Sequence, residues 1–564
     1  MTVIKENDGS NYEERADYID YEDMYKWNVD IPHYKTIQKK LIEKGSKLII
    51  GPRGTGKTHQ MRVAYNVCLK DSKKPFPIYV SFNRYFYLEP LLSKNPAART
   101  IFHTWTLCII VLGCLDTIDN ITNEKNDLSF KSFKREQLER FVVQSEKSIQ
   151  EDWHNDIINN VTISDVIAYL TASMVKHSRK RAILLLDDAA YTLTKEYMVE
   201  FFDIFRCLKT ANISPKASVY PGTTEYGPRF HVKQDGEPIN VWFEPESADY
   251  SDFIDLLCER RFLDTELDDD IKQILRYASF GNPRSFITLL RDYEKDRFKS
   301  KQANLNSIFD ARCNFLKDEY HSIKQKLVQY CTIIDIGWEF FEKVLDNVTL
   351  SNISIAGSSE KITIVGIKEY KGNAIDRMIR FLVEAGLLYE LTPVKHGEKR
   401  EYKRYIFHLV FLFHKRAFSK SSRGFNIAEI LRFLERKNTK HPLRMTIKGI
   451  LGSNAKDRLL LNLPQCTKCG SSRLSENQKF CHNCGHELAS RSSFKECMKL
   501  TIDKLPLTHW QKERIKSETS LRTVQDFVAI QDIGAELQKP YGIGKKRAEK
   551  IDNAVKIIIE EFLA

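Results

Sequence analysis

What this chain of 564 residues lacks narrows what it can be. Its longest strongly apolar run, Trp105 to Leu115, falls short of the ~20 residues that span a bilayer and reads as a buried helix. The start, Met1 to Asn11, is polar and shows no secretory pattern. Of 12 cysteines, eight are scattered and four are clustered at ligand-like spacing, so no disulfide framework is expected. That usage points to a reducing cytoplasm and one metal site. No nuclease, polymerase or methyltransferase constellation is visible, so a catalytic effector of that kind would be a separate protein. Core material is not short: 42% hydrophobic and 29% charged residues are ordinary for a soluble globular protein. The length exceeds one core and implies roughly three to five domains.

The net charge of +12 is unevenly placed. From Lys440 to Ala564 there are 22 Lys and Arg against 14 Asp and Glu. An acidic partner, nucleic acid first, would meet that end; the alternative is a solvated basic face.

The segment Gly51-Pro52-Arg53-Gly54-Thr55-Gly56-Lys57-Thr58 matches G-x-x-x-x-G-K-[ST] at every required position. Glycines let the loop close tightly and aim backbone N–H groups inward, making a concave anion site. Gly51, Gly54, Thr55 and Gly56 shape that cradle. Lys57 can reach the β and γ phosphates, and the Thr58 hydroxyl can hold Mg2+. Leu48 to Ile50 reads as the preceding strand, and His59 to Leu69 as a helix whose N-terminus faces the phosphates. The chemistry expected is binding of a nucleoside triphosphate, ATP first.

Pro77 to Phe82 reads as a second strand, followed by a mostly helical insertion that includes Phe130 to Trp153. Arg181-Ala-Ile-Leu-Leu-Leu-Asp-Asp188 is an apolar strand ending in two carboxylates, a Walker B pattern. Asp187 is placed to hold the Mg2+ water shell. Asp188 stands where a glutamate usually polarises the attacking water, and its shorter side chain favours slow or differently organised hydrolysis. Ala217 to Tyr220 reads as another strand running into Pro221-Gly222-Thr223-Thr224. There Thr223 or Thr224 would sense the γ phosphate, or the segment is a plain Pro-Gly turn. In Gly281-Asn282-Pro283-Arg284, Arg284 enters a helix, Ser285 to Asp292, and would lean over the triphosphate to supply charge. Arg229 is a weaker candidate for acting across a subunit interface.

Together these features resemble the AAA+ ATPases of the origin-recognition type and the related signal-transducing ATPases with numerous domains. The resemblance covers approximately residues 20 to 430. It implies a five-stranded sheet, a helical lid carrying a sensor 2 arginine, and a winged helix beyond. The Asp187-Asp188 strand end departs from the Asp-Glu usual in origin-recognition ATPases and leans toward the signal-transducing branch.

The residues beyond the lid support a winged helix in their own right. Ala374 to Ala385 carries apolar positions at helical spacing, and Gly386 ends it. Leu387 to Leu391 and Arg404 to Leu409 read as strands around a basic tip, Lys395 to Lys403. Such a unit either docks its helix in a major groove with the tip on phosphate, or serves as a structural connector.

Cys466-x2-Cys469-x11-Cys481-x2-Cys484 has the spacing of a closed tetrahedral Zn2+ site, each pair on a turn ending in glycine, Gly470 and Gly485. The insert Ser471 to Phe480 fits a hairpin, so the unit reads as a zinc ribbon with His482 and His486 as bystanders. In the last domain, Gly542-Ile543-Gly544 before Lys545, Lys546 and Arg547 reads as a helix-hairpin-helix, with partner segments Leu521 to Val528 and Ile533 to Gln538. Glycines there let backbone N–H groups approach a phosphate, and the three cations add sequence-independent attraction. A helical protein-interaction domain is the alternative.

The fold class expected is multidomain α/β: an N-terminal segment 1–45, a P-loop NTPase core 46–245, a helical lid 246–315, a winged helix 316–430, a linker 431–463, a zinc ribbon 464–490 and an all-α helix-hairpin-helix tail 491–564. The function expected is an ATP-driven, cytoplasmic switch on or near DNA, able to form a homo-oligomer with ATP and to recruit a protein effector. Mobile-element maintenance, replication and antiviral defence suit it by fold-level analogy. The alternative is a nucleotide-gated signalling scaffold without DNA contact.

Overall fold

The architecture comes from a computed structural model. It describes residues 12–563 except 14–15, 17–18, 126–127, 189–193, 263–266, 296–299, 356–360, 369, 371, 396, 398–399, 419–426, 436–440, 442, 464, 467, 472, 474–477, 479, 487, 489–497 and 531–532. The polar start Met1 to Asn11 lies outside them.

Five strands form one parallel sheet: β1 (Lys47–Ile50), β2 (Phe76–Ser81), β5 (Ala182–Asp187), β6 (Ile213–Val219) and β7 (Glu237–Asn240), in the order β2-β5-β6-β1-β7. This is a parallel α/β sheet accompanied by many helices. Every residue of β5 and β6 is buried, as strands covered on both faces require. β6 starts four residues earlier than the apolar run at Ala217 indicates, because Ser214, Pro215 and Lys216 also lie in the strand. Buried Lys216 is tolerated because its ammonium donates to the Glu43 carbonyl at 2.8 Å and to the Gly45 carbonyl. Burial pulls its pKa down to about 7. β7, Glu-Pro-Ile-Asn, has no apolar pattern; it occupies the sheet edge, where a proline is tolerated.

The helix Ala98–Thr122 is 25 residues long and apolar enough to cross a membrane by length and composition, but 78% of its most apolar window is buried inside the fold. It packs on the sheet through Trp105, Cys108 and Leu115, among others. The stretch expected to be helical from Phe130 to Trp153 instead opens with a hairpin, β3 (Ser129–Phe130) and β4 (Phe133–Lys134), and the helix is confined to Arg135–Glu146. Lys131 turns that hairpin at φ 54°.

Helices Ala248–Arg261, Asp269–Ser279 and Pro283–Lys295 follow the sheet. Beyond them, Lys301–Lys326 and Cys331–Ser354 lead into a second sheet: β8 (Ile364–Lys368), β9 (Leu388–Lys395), β10 (Glu401–Phe407) and β11 (Leu443–Met445), ordered β11-β8-β10-β9. The expected helix forms as Asn373–Glu384, and β9 and β10 pair antiparallel beyond it. Residues 396, 398 and 399 of the basic tip lie outside the described residues. The 431–463 stretch is not merely a linker: β11 pairs parallel with β8, and Ile447, Ile450 and Leu451 join the core. It opens with the end of the helix Ile427–Glu435, and its later helical runs, Ile447–Leu451 and Ala455–Arg458, are too short for a periodic sequence pattern to show. The tail carries helices His509–Glu518, Val524–Ala529, Ile533–Leu537 and Lys545–Leu563.

Candidate nucleotide site and its coupled surfaces

The loop after β1 runs straight into the helix Lys57–Lys70, with Gly54 at φ 81° and Gly56 at φ 91°. A Cβ on Gly54 would lie 2.6 Å from Asn282 Oδ1 and 2.9 Å from Arg284 Cβ, so glycine is required there for close approach. The lid motif thus rests directly on the loop. Asn282 Nδ2 donates to the Arg53 carbonyl at 2.7 Å, and the Arg284 amide donates to the Gly54 carbonyl at 3.4 Å. Phe280 and Gly281, both at positive φ, break the helical path so that Pro283 can start the next helix over the loop. Gly51, Gly54, Thr55, Gly56, Lys57 and Arg284 are therefore brought together. Thr58 sits in the first helical turn beside them.

Lys57 is buried and turned back on its own loop, donating to the carbonyls of Gly51 at 2.6 Å and Pro52 at 3.0 Å. Its ammonium lies 3.9 Å from the centre of the Tyr220 ring. Burial lowers its pKa to about 7, an effect that Asp188, Asp187 and Glu384 only partly offset. Thr55 is fully buried and its hydroxyl donates to the Pro52 carbonyl at 2.9 Å, bracing the loop.

Asp187 ends β5, fully buried, and accepts from the Tyr79 hydroxyl at 3.0 Å. Asp188 follows at φ 53°, its amide donating to Asp187 Oδ1 at 3.0 Å and Ser218 Oγ at 2.8 Å. Both carboxylates act electrostatically on Lys57. A phosphate cradle, a buried cation and a carboxylate at the sheet's C-terminal edge are the donor set that a magnesium-bound triphosphate needs, and these residues fit it.

The turn after β6 joins this site to the second sheet's domain. Glu384 accepts from the Gly222 amide at 2.6 Å, the Thr223 amide at 2.7 Å and the Thr223 hydroxyl at 2.9 Å. Arg377, two turns back on the same helix, donates to the Gly222 carbonyl and to Glu225, each at 3.1 Å. The Thr223 hydroxyl is thus engaged by Glu384, while the Thr224 hydroxyl accepts from the Tyr220 amide at 2.9 Å. Arg229 is an exposed partner of Asp203 at 3.4 Å. Sequence reasoning missed Tyr220, Tyr79 and Glu384. Tyr220 closes the strand that it did find, but nothing in the local sequence around Glu384 marks a residue that meets the site from 162 positions away.

The Sγ atoms of Cys466, Cys469, Cys481 and Cys484 all lie within 4.8 Å of one another. Cys466 and Cys484, and likewise Cys469 and Cys481, are 3.5 Å apart, near the ~3.8 Å that tetrahedral Zn–S bonds produce. Two matching turns build the cluster. The Cys466 and Cys481 amides donate to the carbonyls of Ser471 and His486, and the Gly470 and Gly485 amides return to Cys466 and Cys481. Most of the 471–480 insert, expected as a hairpin, lies outside the described residues. At the tail hairpin, Gly542, Gly544, Lys545, Lys546 and Arg547 are all exposed, whereas Ile543 between the glycines is buried as an anchor.

Fold and loop together define a P-loop nucleotide site of the Walker type. A family model described as ORC-CDC6-like matches residues 12–218, a stretch that contains β1, β2 and β5 and all but the last residue of β6. No curated protein matches. Among solved structures, the chain is similar to a Walker-type ATPase of Pyrococcus abyssi, with 12% identity, 72% of this chain and 99% of that one covered, and a TM-score of 0.35. It is also similar to the Aeropyrum pernix Orc1 protein in complex with DNA, with 11% identity, 73% and 96% covered, and a TM-score of 0.28.

Proposed function

We propose that this protein is an ATP-binding and ATP-hydrolysing switch that changes its hold on DNA with the state of its nucleotide site. The amides of residues 54–58 and the Lys57 ammonium bind the phosphates, and Thr58 and Asp187 hold Mg2+, which supplies positive charge against the triphosphate. Asp188 orients and deprotonates the attacking water, and Arg284 brings a further cation from the lid. The reading is supported by the family match over residues 12–218 and by the site's own geometry.

The observation that carries the switch is the engagement of Thr223 by Glu384. A threonine at the end of β6 can sense phosphate only if its hydroxyl is free, and here the second domain holds it. Release of Thr223 toward the phosphates therefore loosens the helix Asn373–Glu384 from the ATPase core, an event with two discrete packed states. Because that helix is committed to the core through Arg377 and Glu384, DNA contact is proposed for the basic tail rather than for a groove-reading winged helix. Four thiolates at 466–484 hold Zn2+ and give a small module its folding free energy. Oligomer formation with ATP and recruitment of a protein effector complete the proposal.

The test is the ATPase rate with and without duplex or single-stranded DNA, with mass in solution measured alongside. Stimulation by DNA supports the reading. A scaffold that only recruits a protein effector would show no DNA response, whereas phosphate-mediated binding falls by about one power of salt per contact. Lack of affinity for any magnesium nucleotide would overturn the proposal altogether.

A further inference from the structure

The tail holds a feature that phosphate attraction leaves unexplained. Tyr541 is 82% exposed, the most exposed large hydrophobic side chain among the described residues. Trp510, 43% exposed, lies against the same hairpin: a Cβ on Gly542 would come 3.1 Å from its ring, and Gly542 sits at φ 87°. The hairpin is held firmly. Ile543 is buried, its amide donates to the Pro540 carbonyl at 3.1 Å, and the Tyr541 amide donates to Glu518 at 2.9 Å. Arg547 donates to the Gly542 carbonyl at 2.7 Å, with its guanidinium 5.7 Å from the Trp510 ring centre; Arg514 lies 6.0 Å from that ring. A hydrogen-bonded hairpin thus presents a largely exposed aromatic ring, next in the chain to the Gly542 backbone against which Trp510 lies, with two guanidinium groups near that indole.

The charge around it is one-sided. Lys545, Lys546 and Arg547 are exposed and follow Tyr541 within six residues. Of the nearby acids, Glu518 is held by Arg514 and the Tyr541 amide and Glu536 by Lys539, which leaves Glu549, exposed one helical turn after Lys545, against Lys545, Lys546, Arg547 and Lys550. Gly544 has open space where a Cβ would stand and its φ lies outside the left-handed range, so the chain's own packing does not require glycine between the ring and the lysines. A flat, open π surface beside an excess of cations, four against Glu549, suits a polyanion that carries flat rings.

We infer that Tyr541, edged by Trp510, stacks on an unpaired base while Lys545 and Lys546 hold the adjoining phosphates, so that the tail prefers DNA carrying unpaired bases over intact duplex. A duplex interior hides its base faces, and only a single strand, a fork or a frayed end can offer one to the ring. This inference rests on the DNA-binding reading of the tail and adds which form of DNA it selects.

The experiment uses the full chain, with a fluorescently labelled single-stranded oligonucleotide, the same sequence as blunt duplex, and a fork with 2-aminopurine at the junction. The wild type is expected to bind the single strand and fork more tightly than the duplex and to quench the 2-aminopurine. Tyr541→Ala weakens single-strand and fork binding about tenfold, the scale of one stacked base, and leaves duplex binding within about twofold. Tyr541→Phe retains wild-type binding, since the ring and not the hydroxyl makes the contact. Lys545→Ala with Lys546→Ala weakens all three substrates and lowers the salt slope by roughly 1.5. Because Tyr541 is exposed, its variants keep the wild-type melting temperature. Equal losses on duplex and single strand, no loss at all, or a Phe variant as weak as Ala would overturn the platform and leave DNA binding standing. Absence of binding to any of the three substrates would remove the DNA reading and the platform together.

Discussion

Glu384 receives three hydrogen bonds from Gly222 and Thr223, at 2.6, 2.7 and 2.9 Å, and thereby sets a carboxylate beside a site built for a polyanion. It also acts electrostatically on Lys57, the cation that the proposed function sets against the triphosphate. Docking of the second domain and filling of the phosphate cradle are therefore competing ways to satisfy the same charges. Glu384→Gln removes the negative charge while keeping an oxygen acceptor. Its expected effect is a gain in MgATP affinity of about fivefold, as loss of ~1 kcal/mol of repulsion in a partly solvated site gives. Hydrogen exchange at the Gly222 and Thr223 amides should accelerate in the same variant, because neutral acceptors hold amides less strongly. Unchanged nucleotide affinity would show that the contact is only architectural.

The Lys57 ammonium gives a pH signature. In the free protein its pKa is lowered to about 7, chiefly by burial. A triphosphate on the same nitrogen favours the charged form and moves the pKa back up. Between those two values the free protein is mostly neutral at Lys57 and the complex is charged, so binding takes up a proton. Affinity must then fall as pH rises above about 7, by at most tenfold per unit. Calorimetric titration with MgATP at pH 8, in buffers of different ionisation enthalpy, should give net uptake approaching one proton per site. At pH 6 the uptake from this group should vanish. Release of protons at pH 8 would contradict the arrangement.

How far the sequence disclosed all this depends on where the information resides. The phosphate loop, the Asp187 strand and the Gly281–Arg284 turn are local patterns with a mechanism in each residue, and the structure seats them against one another. β6 was half visible, because Pro215 and Lys216 lack the apolar signal of a central strand and are made tolerable only by partners such as the Glu43 carbonyl. β7 and β11 are too short to carry a strand-length apolar pattern, and exist because a neighbouring strand already stands there to pair with them. Glu384 was invisible for a related reason. Its role is created by packing between domains, which no window of sequence contains.

Asp188 separates binding from turnover. It follows Asp187 in a left-handed conformation, with its amide tied to Asp187 and Ser218, so its backbone position is firmly set. Asp188→Ala is expected to retain MgATP affinity within a few-fold while turnover falls about a hundredfold, the scale for loss of a general base. Lys57→Ala removes the phosphate-binding cation and should abolish both. Filter binding with labelled ATP and a phosphate-release assay, run on the two variants side by side, read the split directly. Turnover unaffected by either change would place the catalytic site elsewhere.

The cysteine cluster makes a prediction about folding that is independent of nucleotide. Its apolar support is slight: Leu488 is the only other buried residue grouped with Cys466 and Cys481 among the described residues. A module with so little core cannot hold four sulfurs together by packing, and thiolates that close repel one another without a cation between them. Purified protein should therefore contain one zinc per chain by elemental analysis. Cys469→Ser, or a strong chelator, should open residues 466–486 to rapid hydrogen exchange and proteolysis while the ATPase core keeps its MgATP affinity. Zinc content well below one per chain in protein whose 466–486 segment stays protected would show that the cluster folds without the ion.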